Sequence, residues 1–186
     1  MFARLFSRKR NALEASEDGL YAAIVAAARQ NTFYADWNVG DTPLGRFEML
    51  ALHMMLILRR LDGSGPEAKV LAQGLTDIFF QDVDHSLREL GIGDKGVPRR
   101  MKTLSQMFFG RAVAYGKALG DGSMPELVDA LARNVWPEGK GDAGALARYM
   151  AATADVLASQ SDPDLLAGRC HFPSASAIEA TGETWS

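Results

Sequence analysis

With 186 residues, 47% of them hydrophobic and 23% charged, the chain is the right size for one globular domain with a proper core and too short for two full-sized ones. A mean hydropathy of −0.08 and a longest apolar run, MLALHMMLIL at 49–58, that His53 interrupts both fall short of a membrane-spanning helix. The net charge of −3 is uneven: Arg4, Arg8, Lys9 and Arg10 give the first ten residues +4 and leave −7 on the rest, which argues against DNA as a partner of the folded body.

Three stretches are expected: a flexible basic leader over 1–15, a helical domain over 16–160 and a polar tail over 161–186. In the leader, Phe2, Leu5 and Phe6 alternate with Arg4, Arg8, Lys9 and Arg10, a composition suited to an anionic membrane surface reached through residues 1–12. The lone cysteine, Cys170, rules out an internal disulfide, and no secretory signal pattern precedes the domain. A cytoplasmic location is therefore expected, peripheral on the inner face of the membrane where the leader binds.

Leu20, Tyr21, Ile24, Val25 and Ala28 recur at helical spacing and predict a first helix from about Ser16. The segment from Asn31 to Gly45 is broken by Asn38, Gly40 and Pro43 and reads as a loop that packs Phe33, Tyr34 and Trp37 on the body. Thr42 and Pro43 then cap a helix that is apolar nearly all round to Leu61, which marks it as central. His53, inside it, is expected to be a hydrogen-bonded interior residue. Pro66 opens the next helix, which carries Leu71, Leu75, Phe79, Val83 and Leu87 on one face and ends at Gly91. Pro98 starts another, and Ser123 with Glu126 forms a capping-box pattern for a helix to Val135. A last sizeable helix follows over 145–159. The fold class is all-α: a single compact multi-helix domain with a central apolar helix and a charged helix-turn-helix corner.

That corner holds Asp84, Arg88 and Glu89 at the end of one helix and Arg99, Arg100 and Lys102 in the first turns of the next, with Asp94 between them. Cations at a helix N-terminus oppose its macrodipole, so Asp84, Glu89 and Asp94 are the expected compensating groups, and any charge left over is available to a partner. Catalytic signatures are missing: no phosphate-binding glycine loop, no GxSxG elbow, and Cys170 beside His171 is poorly arranged for a thiol nucleophile. Asp82 and His85 form half of a helix-borne metal site without a second half. An enzyme or metal protein using Asp82, His85 and His53 is the alternative reading. No cofactor and no metal are expected.

The segments GRFEMLALHMMLILRRL at 45–61, DVDHSLRELGIGDKGVPRRMK at 82–102 and FFGRAVAY at 108–115 resemble the ubiquinol-cytochrome c chaperone family. The resemblance implies a non-enzymatic chaperone that binds newly made cytochrome b and helps assemble the cytochrome bc1 complex, in mitochondria beside the ribosome. The leader is shorter than a mitochondrial presequence plus anchor, which points to a bacterial-type member. Arg111, in the FxGR element, joins the corner residues as expected partner-binding positions. Adaptable methionines suit such a task; Met54 and Met101 fall on the core stripe, and Met49, Met55 and Met107 are expected to line a groove.

Overall fold

The computed structural model describes residues 2–181, with side chains from Arg10 to Ile178. Among the described residues there are nine helices and no strand: α1 (Phe2–Ala28), α2 (Asn31–Ala35), α3 (Pro43–Leu61), α4 (Pro66–Glu89), α5 (Val97–Gly120), α6 (Met124–Val135), α7 (Ala143–Ser159), α8 (Asp162–Leu166) and α9 (Ala175–Thr181). None of these helices is long and apolar enough to cross a membrane.

Helix α3 is the centre, packed against α1, α4, α5 and α7. It starts where expected: the Thr42 hydroxyl accepts from the Gly45 amide at 3.1 Å, with Pro43 in the first turn, where its missing N–H costs nothing. Met49, Leu52, Met54 and Ile57 are essentially inaccessible, so burial all round the helix accounts for its nearly unbroken apolar sequence. Helix α4 runs back along α3, placing Phe79 against Phe47 with ring centroids 5.9 Å apart. Helix α5 then returns antiparallel to α4, with Phe108 5.0 Å from Phe79. Helices α6 and α7 close the other flank of α5 and α3.

Four local expectations change. Helix α1 does not begin at Ser16, whose hydroxyl donates to the Ala12 carbonyl at 2.9 Å in mid-helix. There α1 passes so close to the end of α8 that a Cβ on Gly19 would lie 2.6 Å from the Gly168 carbonyl oxygen, while Gly168 itself takes φ +77°. The aromatic loop contains a short helix, α2, and does pack inward: Phe33 and Trp37 are buried against Tyr149. The Ser123–Glu126 capping box does not form, because Ser123 makes no side-chain cap bond and Glu126 turns to Lys117. The stretch expected as a polar tail contributes Leu165 and Ala175 to the core, and Gln30 brackets it by donating to the Pro173 carbonyl at 3.2 Å and accepting from the Ala175 amide at 2.7 Å.

Candidate functional site

The corner between α4 and α5 is built by backbone geometry first. Gly91 adopts φ +78°, and the Ile92 amide reaches back to the Leu87 carbonyl at 3.2 Å, closing the last turn of α4 and folding Ile92 onto the core. Val97 is buried and Pro98 occupies the first turn of α5, so the charged residues around them are held on a fixed frame.

Their partnerships differ from the expected ones. Arg88 takes both nearby aspartates, Asp84 through Nε and Asp94 through Nη1, each at 2.6 Å, and so ties the last turn of α4 to the loop. Glu89 faces His85 at 3.2 Å. None of the three acids therefore compensates the cations that follow: Arg99, Arg100 and Lys102 are exposed and make no ion pair among the described residues. Three uncompensated positive charges therefore stand in the first two turns of one helix, against its dipole.

Arg111 stands apart from this surface. It is buried, with its Nη2 2.6 Å from Glu48 Oε1, so the expected partner-binding arginine is instead an interior tie between α3 and α5. Burial pushes the Glu48 carboxyl up to about 7, with the Arg111 guanidinium pulling the other way. Arg111 belongs to the inward face because it lies three residues from Phe108 and four from Tyr115, both core residues. Glu48, an acid inside an apolar stripe, is the signal that the sequence reading passed over.

The methionines also divide differently. Met49 is fully buried, so it fills the core, and Met107 is half-buried. Of the three, Met55 lines an open trough of about 500 Å³ between α3, α4 and α5, whose lining combines Met55, Leu58, Ala112, Leu119 and Met150 with the charged Arg59, Asp62 and Lys69. The trough lies beyond the Phe79–Phe108 contact, towards the start of α4 and the end of α5. A second hollow of about 830 Å³, towards α6 and α7, shares Arg59 and Leu119 with it. Beside the trough, on the outer face of α5, Phe109 is 55% exposed and Val113 73% exposed.

The residues of the alternative reading are each engaged elsewhere. Asp82 accepts a hydrogen bond from the Tyr21 hydroxyl at 2.7 Å, His85 faces Glu89, and His53 is sealed between the Met49 carbonyl and the Tyr149 hydroxyl. No cluster of potential metal ligands occurs among the described residues. Burial raises the Cys170 thiol to about 12, which opposes thiolate chemistry. In the leader, Phe2, Arg4, Leu5, Phe6, Arg8 and Lys9 have side chains outside the described ones; Arg10 is exposed and lies 3.6 Å from Glu14.

The family model for the ubiquinol-cytochrome C chaperone matches residues 35–172, a span that contains the corner, the Glu48–Arg111 tie and both hollows. The crystal structure of the Cbp3 homolog from Brucella abortus is similar over 95% of this chain and 98% of its own, with 49% sequence identity and a TM-score of 0.88. No curated protein matches. A match over residues 35–172, joined to a near-complete structural likeness at that identity, places the chain in the ubiquinol-cytochrome c chaperone family.

Proposed function

We propose that the chain is a non-enzymatic chaperone that binds newly made cytochrome b and promotes assembly of the ubiquinol-cytochrome c reductase (bc1) complex. The observation that carries this reading is the family match across residues 35–172. The chemistry of the corner supports it: Arg99, Arg100 and Lys102 have no acidic neighbour to neutralise them, so they are free to steer and orient an anionic segment of a client. Absence of catalysis is supported by the way the buried titratable groups, Glu48 and His53, are consumed by internal partners. The basic leader adds a weak attachment to an anionic membrane surface, which keeps the chaperone close to where its client is inserted.

Deletion of the gene in its native organism tests the reading. The expected result is a severalfold loss of bc1 complex and of cytochrome b haem absorbance, restored by the full chain. A chain lacking residues 1–12 restores assembly less well and leaves the membrane fraction. Unchanged bc1 levels in the deletion strain would defeat the assembly role, and undiminished membrane association without residues 1–12 would remove the role of the leader.

A further inference from the structure

One face of α5 joins the charged corner to the apolar trough. Lys102, Phe109, Val113, Gly116 and Gly120 are spaced by seven, four, three and four residues, the helical repeat that stacks them along a single line. The line begins in uncompensated positive charge, continues through two exposed apolar side chains, and ends beside the trough that Gly116 lines. Gly116 is not needed for packing inside this chain or for an unusual backbone, because a Cβ there would meet nothing within 4 Å and its φ lies outside the left-handed region. Gly110 and Gly120 of α5 are equally open, and Gly116 differs from them in lining the trough, so a glycine that costs helix stability relative to alanine leaves empty space there.

Resting on the proposed chaperone reading, we infer that this face seats an apolar α-helical segment with a carboxylate-bearing end, its acidic end against Lys102 and Arg99 and its apolar body in the trough between α4 and α5. The fourteen residues from Lys102 to Gly116 set the spacing: at about 1.5 Å per residue, the acids lie about 21 Å along the occupant from the side chains that enter the trough. Charge complementarity selects the acidic end, since Arg99 and Lys102 have no ion-pair partner of their own. Concavity selects a helix over a lipid surface. A bilayer takes up a convex apolar ridge, whereas here the apolar seat is a hollow whose lining carries charges of both signs, Arg59, Asp62 and Lys69, with Arg99 and Lys102 further along the axis of α5. This is the helix-in-groove mode, read by side chains at helical spacing.

The test uses the full chain and a fluorescent synthetic helix of about eighteen leucines and alanines with three glutamates at one end, followed by fluorescence anisotropy. A matched helix carries lysines in their place. The acid-ended helix is expected to bind at least about ten-fold more tightly than the lysine-ended one, and Lys102→Glu is expected to abolish that preference. Gly116→Trp, which fills the trough, is expected to weaken binding by about ten-fold or more. Gly110→Trp places the same side chain about 120° round α5 from Gly116, outside the trough lining and also with nothing within 4 Å of its Cβ, and should leave binding unchanged. Circular dichroism checks that both variants stay folded. Equal binding by the wild type and Gly116→Trp overturns the inference, as does a trough whose filling abolishes only anionic-vesicle binding or only self-association. Capture of cytochrome b without peptide binding defeats the seat and spares the client; peptide binding without capture does the reverse.

Discussion

His53 donates from Nδ1 to the Met49 carbonyl and accepts at Nε2 from the Tyr149 hydroxyl, both at 2.7 Å, in a setting closed by Phe33 and Phe172. A carbonyl can only accept, so Nδ1 carries a proton, and burial keeps the ring from taking a second one. Burial lowers its pKa to about 4 from the ordinary 6.5. Between those values the unfolded chain binds a proton that the folded chain refuses, so stability falls as pH drops through the window from 6.5 to 4. The full effect is about 3 kcal/mol. Glu48 acts in the opposite sense: its pKa is raised to about 7 from 4.5, so the folded chain holds the extra proton between those values and gains stability as pH falls through 7. Urea unfolding of the wild type and of His53→Leu at pH 7 and pH 5 separates the two. The variant should lose the histidine's contribution and become relatively more stable at pH 5 than at pH 7; an unchanged pH dependence would mean the ring is not held neutral.

The contact between α3 and α5 turns on Glu48 and Arg111, an ion pair with both members buried. Removing Glu48 leaves the Arg111 guanidinium as an uncompensated interior charge, so Glu48→Leu should destabilise by about 3–5 kcal/mol, while Glu48→Leu combined with Arg111→Met should come back close to the wild type. Denaturant unfolding of the two single variants and the double measures this; additive losses would show that the pair is not coupled. The helices on either side of this contact were legible because periodicity, Thr42 with Pro43, and Gly91 each carry a local physical signal. The pair itself was not, since Glu48 and Arg111 are 63 residues apart and nothing local announces a partner at that distance. For the same reason the corner was readable as a cluster of charges but not as a set of partnerships. Geometry gives Asp84 and Asp94 to Arg88, and only then are Arg99, Arg100 and Lys102 left over. The groove methionines failed for a third reason: a helix buried on every side, as α3 is, offers no pattern to distinguish Met49 in the core from Met55 on a trough floor.

Across the whole molecule, charge and apolar surface are arranged along the α4–α5 hairpin: a positive corner at one end, the trough towards the other, and the exposed Phe109 and Val113 between. The net charge is negative, so these cations are a local feature set against an acidic body, an arrangement that gives orientation to an encounter more than raw affinity. The central claim is that this surface holds cytochrome b. Co-purification of cytochrome b with the full chain, compared with a chain carrying Arg99→Glu, Arg100→Glu and Lys102→Glu together, tests it most directly. The account predicts capture by the wild type and loss of most of it on triple reversal, with the variant still folded by circular dichroism. Equal capture by both chains would contradict it.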